Sequence, residues 1–446
     1  MNVPTVFSDD VLAEARAAAR AAVTAQLPDM TDVPLFTIDP SGSMDLDQAM
    51  HLERDGSGYR VRYAIADVPA FVRPGGAIDQ EAHRRGTTIY CPDGRFPLHP
   101  EVLSEDAASL LPGKVRPAFV WNIRLDAEGN ETDSSVARAA VRSVVRLNYV
   151  EAAESRDASI ALLREIGELR IALQQQRGGA SLPIPEQQVV EVAPGTSTLE
   201  YRPSLASEEW NEQISLLAGM AAARMMLQAR VGILRTMPEP TGLAVARIRR
   251  QARALGVPWA KSLSYGDALR TLDLANPVHL ALVHEAAALF RGAAYTAFDG
   301  AVPEQTGHAA VAAPYAHVTA PLRRLVDRFG LLVCEAISAG RPVPDWVRAA
   351  LPGLPEIMTG ADRLAGAVER ACIDAAEAST LAGLVGRTFP AVVVDQTDRG
   401  SVVVQLIDPA IVATVKGTAP LGATITVTVA GADVSAGKVT LTMEST

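Results

Sequence analysis

Cysteine is scarce in this 446-residue chain: Cys91, Cys334 and Cys372 lie far apart in sequence and form no Cys-x-x-Cys pair. That spacing argues against a zinc site and for reduced thiols in a cytosolic protein. Aromatic residues make up only 5% of the total, which fits an interior built from Ala, Val and Leu. Positive charge is in deficit, with 41 Lys and Arg against 51 Asp and Glu and a formal net charge of -10. A protein that coats nucleic acid with its surface carries a basic footprint, so this balance counts against that class. A polyanion held in one concentrated basic channel remains compatible with it. Long apolar runs are missing too: "LVDRFGLLVCEAISAG" is interrupted by Asp327, Arg328 and Glu335, and no membrane contact is expected. Asp9 and Asp10 stand where a signal peptide would be basic, so no secretory signal is expected and the cytoplasm is the expected location.

What the chain does have is 48% hydrophobic residues and enough length for two or three domains with a substantial core. Residues 8–27 read as one Ala-rich helix, capped by Ser8, favoured by Asp9 and Asp10 at its positive end and stopped by Pro28. "AMHLER" and "YRVRYAIAD" flank the turn "DGSG" and read as a hairpin, with further strands over 116–126 and 136–146. From about residue 150 the pattern is helical, over 151–177, 209–230, 243–255, 278–291, 322–339 and 356–382. Residues 174–188 read as a loop between subdomains. The last sixty or so residues are short Val/Thr runs separated by Gly and Asp turns, a pattern for a separate small all-β barrel. Strands first and helices afterwards make the fold class α+β. Arginines cluster at Arg84–Arg85, at Arg247, Arg249, Arg250 and Arg253, and at Arg323, Arg324 and Arg328; each cluster taken singly reads as a solvated helix face.

The chemistry concentrates in "TIDPSGSMDLDQAM", residues 37–50, where Asp39, Asp45 and Asp47 fall within nine positions. In an extended strand Asp45 and Asp47 share a face while Leu46 points to the core, and the Pro40–Gly42 turn can fold Asp39 back beside them. Such a set of hard oxygen donors suits Mg²⁺ or Mn²⁺, with water and substrate phosphate completing the shell. An EF-hand calcium loop is excluded, because Met44 stands where glycine is needed and Met50 where glutamate is needed. From these residues alone an exposed acidic turn without a ligand stays open as the other reading.

The stretch resembles the metal-binding signature of the ribonuclease II (RNB-type) family, in which four aspartates follow a Thr-Ile-Asp start. The resemblance continues through "YRVRYAIADVPAFVRPGGAIDQEAHRRGTTIYCPDGRFPLHPEVLSEDAASLLPGKVRP", returns at "YAHVTAPLRRLVDRF", and appears more weakly at "AVERACIDAAEAS". It implies an RNB-type nuclease core of mixed sheet and surrounding helices over 35–384. A short N-terminal helical segment at 1–34 and an RNA-binding OB-type barrel at 385–446 complete the expected layout. It also implies a processive, hydrolytic 3′-to-5′ exoribonuclease that releases nucleoside 5′-monophosphates.

By the same resemblance Asp39, Asp45 and Asp47 surround Mg²⁺ (Mn²⁺ as substitute), with Asp47 the most critical of them and Arg323 on the scissile phosphate. Tyr90 matches the tyrosine that stacks on the terminal nucleotide, which suits an enzyme indifferent to sequence. Tyr149 and Glu212 match positions near the sugar and base, Arg324 accompanies Arg323 against RNA, and Glu369 matches a contact to the RNA end. His317 has a positioning or packing role rather than an acid–base one. The barrel face, with Phe389, Arg387, Arg399, Lys416 and Lys438, is expected to make a weak RNA contact.

Three features depart from the family pattern. Gln48 replaces the fourth aspartate as a neutral oxygen donor to the metal; in a regular strand it faces away from Asp45 and Asp47. Ala320 and Leu325 replace a serine and a tyrosine, and residues 1–34 are too short for the family's paired N-terminal cold-shock barrels. The expected partner is single-stranded RNA, with no obligatory protein partner and a monomeric state. Two other function classes are an RNA-binding relative with weak or lost catalysis, suggested by Gln48, and a metal-dependent phosphodiesterase of short oligonucleotides or DNA.

Overall fold

The computed structural model describes residues 3–21, 24–180, 186–193, 196–202, 204–397, 400–406 and 408–443. Its centre is a closed five-stranded barrel of β1 (Asp29–Ile38), β2 (Gln48–Asp55), β3 (Gly58–Ala66), β6 (Val115–Leu125) and β7 (Glu131–Leu147), in the order β1-β2-β3-β6-β7. Between β3 and β6 lie helix α2 (Ala77–Arg85) and a two-stranded hairpin of β4 (Ile89–Cys91) and β5 (Gly94–Phe96). The β2–β3 hairpin turns at the expected Asp-Gly-Ser-Gly, with Gln48 opposite Ile65 and Asp55 opposite Gly58. One face of the barrel carries Phe36, Met50, Tyr63, Phe119 and Trp121 against Ile214, Leu217 and Phe329 of the helices. The other carries small residues, Ala49, Ala64, Ala66 and Ala118, and joins Leu46, Leu103, Leu110 and Val11. Aromatics are thus spent on one face, which is how so few of them serve a core of this size.

The first helix, α1 (Asp9–Ala19), is shorter than the sequence suggests. Of its residues only Val11 and Ala15 are buried, and the helix closes at Arg20, its C-cap, so packing holds it by one short apolar stripe. Ser8 is its N-cap by position, but its hydroxyl donates to the Asp10 carboxylate instead of capping a backbone N–H. The single helix expected over 151–177 is two, α3 (Tyr149–Glu154) and α4 (Ala158–Gln176). Asp157 breaks them: it caps α4 by accepting the Ser159 N–H at 2.8 Å. Residues 174–176 extend α4, and 186–188 open strand β8 (Glu186–Ala193), which pairs with β9 (Thr196–Arg202), so the loop expected over 174–188 is shorter at both ends.

Helix α5 (Ala206–Ala229) crosses the barrel and leads into β10 (Val231–Thr236), which pairs with β11 (Ala294–Asp299). Between those two strands sits a helical insertion of α6 (Gly242–Ala254), α7 (Tyr265–Arg270) and α8 (Pro277–Ala286) with its own small core. After the short pair β12 (Gly307–His308) and β13 (Ala313–Pro314) come α9 (Leu325–Ser338), α10 (Asp345–Ala350) and α11 (Leu354–Ala382). Residues 322–324 lie outside α9, because they form the loop that carries Arg323.

The C-terminal barrel follows the order β14-β15-β16-β18-β17, with β14 (Thr388–Thr397), β15 (Ser401–Leu406), β16 (Ile411–Lys416), β17 (Thr424–Asp433) and β18 (Lys438–Met443). It is docked rather than tethered. Its core includes Leu199 and Leu381 from the preceding region, and Leu280 of α8 packs on Val392 and Val394. The His284 ring meets the Gln405 amide at 2.6 Å across the same interface. Arg399 of the expected RNA face lies outside the described residues. Among the described residues, no helix is long and apolar enough to cross a membrane.

Candidate active site

The aspartate loop runs between β1 and β2 in irregular conformation, so no strand period places its side chains. Tertiary hydrogen bonds do. Ser109 accepts the Leu46 N–H at 3.0 Å and donates to the Met44 carbonyl at 2.6 Å, while Leu110 N–H donates to the Leu46 carbonyl at 3.0 Å. Leu46 is thereby sunk in the core, and the aspartates on either side of it lie close enough for the charge of Asp45 to act on Asp47.

Asp47 is the deepest of them, 5% exposed. Its Oδ1 accepts the backbone N–H of Leu322 at 2.7 Å, and its Oδ2 lies 3.9 Å from Nε of Arg323. Burial pushes its carboxyl well above the ordinary range, opposed by Arg323 and the Leu322 N–H. Asp39 donates its N–H to the Leu147 carbonyl and has a buried Oδ2 without a partner among the described residues. Burial, and then the charge of Asp45, raises its carboxyl to about 7, with Arg323 and Arg146 pulling the other way. Asp45 is satisfied differently: Oδ1 accepts from Arg95 at 2.9 Å and Oδ2 from the Tyr90 hydroxyl at 3.2 Å.

The Arg323 loop is fixed from three sides. Its carbonyl accepts the Thr88 N–H at 2.9 Å and the Thr87 hydroxyl at 2.8 Å. The Leu325 N–H donates to the Gly86 carbonyl, and Gly86 is where α2 ends with φ 70°. A Cβ there would stand 2.6 Å from that of Ala361, so only glycine lets α2, α11 and this loop meet. Ala320 N–H donates to Asp327 Oδ1 at 2.7 Å, so a backbone bond anchors the loop where the family pattern has a serine. Leu325 is fully buried in place of the tyrosine.

Two expected ligands are engaged elsewhere. Gln48 opens β2, and its Nε2 donates to the Thr319 carbonyl at 2.8 Å. Its Oε1 accepts from Tyr63 and, at 3.3 Å, from Ser215. Gln48 is therefore a clamp on the Arg323 loop, with its oxygen shared between Tyr63 and Ser215. Arg324 is engaged as well. Its guanidinium makes a bidentate pair with Asp327, which is fully buried, at 2.8 and 2.7 Å, through Nε and Nη2. Arg85 and Arg328, expected on solvated faces, are buried as well, Arg328 against Asp79.

Tyr90 stands 48% exposed on β4, yet surrounding protein desolvates its hydroxyl and raises it, as does Asp45. Glu212 on α5 shows the same combination, exposed but raised by lost hydration and by Glu209. Both side chains thus combine solvent exposure with ionisable groups shielded by neighbouring protein. Tyr149, at the start of α3, packs on the main core, hydrogen bonds Asn211, and is raised by burial and by the nearby Asp39. Glu369 is exposed on α11; among the described residues no hydrogen bond or ion pair joins it to the cluster. His317 is half-buried between Tyr295 and Tyr315, and lost hydration lowers it well below the ordinary range, so it packs as a neutral ring.

Arg95, Glu105, Tyr63 and Ser215 were not foreseen from the sequence. The "CPDG" turn was the available signal for Arg95, since a hairpin there sets Arg95 directly opposite Tyr90. Cys91, beside Tyr90, neighbours Cys372 of α11, both as free thiols; burial and that contact push Cys91 up to about 11. The β4–β5 hairpin thus rests on α11.

A family model described as the RNB domain matches residues 28–333, more than half of the sequence. The chain belongs to the RNB family. A second model, the RNase II-type exonuclease C-terminal S1 domain, matches residues 387–444, the docked barrel. Ribonuclease R of Escherichia coli is 29% identical over 318 residues, covering 67% of this chain and 39% of that protein. The chain therefore spans about two fifths of the length of that curated relative. Among solved structures, Mycoplasma genitalium RNase R in complex with ribose-methylated single-stranded RNA superposes with TM-score 0.87 at 18% identity, over 99% of this chain and 76% of that one. Yeast Ssd1, described as a pseudonuclease, superposes with TM-score 0.68 at 18% identity, over 88% of this chain and 50% of that one. At such identities these two likenesses carry the fold alone.

Proposed function

We propose that this RNB-family chain is a hydrolytic, processive 3′-to-5′ exoribonuclease that degrades single-stranded RNA to nucleoside 5′-monophosphates, with Mg²⁺ as its cation. The observation that carries the reading is the juxtaposition of Asp47 and Arg323. A buried carboxylate and a guanidinium meet across 3.9 Å at a cleft, from segments 276 positions apart (323 − 47).

Nucleases of this family depend in general on divalent metal. The residues present fit such an ion: Asp39 keeps a buried oxygen with no protein donor, and Asp47 Oδ2 faces only a distant Arg323. Among the described residues no three His, Cys, Asp or Glu side chains converge as a ready-made cage. That suits Mg²⁺, which takes one or two carboxylates and fills its shell with water and phosphate oxygens. Asp39 and Asp47 would hold it, with Asp45 beside them, and when bound it would supply an activated water and charge compensation for the leaving oxygen.

The chain's own groups do the rest. Arg323, 43% exposed and held by its backbone carbonyl, extends its fork to the scissile phosphate. Tyr90 offers a stacking face to the terminal base, tolerant of any sequence. Tyr149 and Glu212 line the cleft at the sugar, where partners for a 2′-hydroxyl separate RNA from DNA. Glu369 contacts the RNA end, and Phe389, Arg387, Lys416 and Lys438 of the barrel add a weak contact. The protein works as a cytoplasmic monomer without an obligatory protein partner. The units of function are residues 1–34, the core 35–384 and the barrel 385–446.

A second reading, RNA binding with feeble catalysis, is favoured by one observation: Gln48 replaces an acidic residue and is locked into a structural network. A 5′-labelled homopolymeric RNA incubated with and without EDTA decides between them. A ladder shortening from the 3′ end only without EDTA is expected; binding without decay establishes the second reading. Equal cleavage of DNA points instead to a general phosphodiesterase.

A further inference from the structure

The three aspartates are not equivalent, and the difference lies in Arg95. Asp39 and Asp47 each present an oxygen that no protein donor saturates. Asp45 presents none: Arg95 holds Oδ1 at 2.9 Å and Tyr90 holds Oδ2 at 3.2 Å. Arg95 is itself held from behind, by Glu105 at 2.6 Å through Nη2 and 3.1 Å through Nε. It also stands directly opposite Tyr90 in the β4–β5 hairpin. One guanidinium thus sits inside the carboxylate cluster and beside the stacking tyrosine at once.

Resting on the nuclease reading above, we infer that Arg95 is a positioning residue that sets the cation requirement of the cluster and fixes Tyr90 for the terminal nucleotide. Arg95 and a divalent cation compete for the same carboxylate. A cation that recruits Asp45 must draw it away from a full positive charge and from the Tyr90 hydroxyl. Arg95 therefore weakens the cluster's hold on a cation while steadying the platform on which RNA stacks. Glu105 tunes this by sharing the guanidinium: the more charge Glu105 takes up, the less Arg95 pulls on Asp45. The pair is partly screened, with 24% and 13% of the two side chains exposed, so its effect is moderate.

The account gives two equilibrium readouts opposite signs. Mn²⁺ binding is measured by calorimetry on the full chain without RNA. RNA binding is measured by anisotropy of a fluorescein-labelled homopolymer in EDTA, where no turnover occurs. Arg95→Met should tighten Mn²⁺ by about threefold and weaken RNA by a similar factor. Arg95→Lys, which keeps the charge and loses the fork, should leave Mn²⁺ affinity near the parent's and still weaken RNA. Glu105→Gln should move Mn²⁺ affinity the other way, downward. The two milder variants keep the test valid if Arg95→Met does not fold. A role confined to holding the hairpin together would lower both affinities in Arg95→Met, and that result, or no change in either, overturns the inference alone. A parent protein that binds neither Mn²⁺ nor RNA overturns the nuclease reading and this inference with it.

Discussion

The backbone N–H of Leu322 donates to Oδ1 of Asp47 across 2.7 Å, tying the deepest carboxylate of the cluster to the residue before Arg323. The bond needs an oxygen, not a charge. Asp47→Asn, with Oδ1 toward Leu322, therefore keeps the loop in place while removing a carboxylate whose burial already disfavours ionisation. The variant should melt at or above the parent temperature, and Asp47→Ala, which deletes the acceptor, below it. Thermal melts of both variants check this; a large destabilisation in Asp47→Asn would show that the charge itself holds the loop.

Gln48 gives a second prediction. Gln48→Asp restores the family's acidic residue but loses the donor to the Thr319 carbonyl and shortens the reach to Tyr63 and Ser215. Leaving such buried groups unpaired costs about 1–3 kcal/mol. The Mg²⁺ concentration for half-maximal initial rate should not fall. A clear fall would show that residue 48 reaches the ion after all.

A third prediction concerns the pairing of α2 with α9. Asp79 accepts from Arg328, whose side chain is 1% exposed, and from the Gly75 N–H at 2.7 Å. Burial works against ionisation of Asp79, and the contacts of His83 and Arg328 outweigh it, holding its carboxyl well below the ordinary range. Because the folded value is depressed, this stabilisation is complete above the unfolded value of about 4 and is lost as pH falls through the lower folded value. Asp79→Asn strands a buried guanidinium and should cost about 3–5 kcal/mol at neutral pH. The gap in denaturant midpoint between parent and variant should narrow below pH 4 or so. A gap that is constant with pH would mean that packing, not charge, holds the helices.

The fourth prediction is about the barrel. From sequence it reads as a separable domain, so that truncation after residue 384 weakens RNA binding only modestly. The structure argues otherwise: truncation uncovers Leu199, Leu280 and Leu381, all buried against barrel side chains. A chain ending at residue 384 should be aggregation-prone, with a lower melting temperature than the full chain. A soluble truncation with the parent's melting temperature would contradict the shared core.

Much of the architecture was legible because its signals are local. The Asp-Gly-Ser-Gly turn between alternating runs set the β2–β3 hairpin, and the long apolar periods set α5, α9 and α11 to within three residues at their starts and two at their ends. Helix α2 gave no such signal, since two of its four buried residues are Asp79 and Arg85 and the pairing that hides them lies elsewhere. The aspartate cluster could be named but not ranked. Which oxygen is open depends on Arg95, Leu322 and Tyr90, brought there by tertiary contacts. The partners of Gln48 and Arg324 are illegible for the same reason: Thr319, Ser215 and Asp327 become neighbours only in the fold or through a loop's turn.

On the proposed reading, Asp47 serves the chemistry and not the grip on RNA. The most direct measurement is the initial rate of nucleoside 5′-monophosphate release from single-stranded RNA in saturating Mg²⁺, for the parent and Asp47→Asn, beside RNA affinity in EDTA. The account predicts a rate lower by orders of magnitude with affinity nearly unchanged. Release by Asp47→Asn at near the parent rate would contradict it.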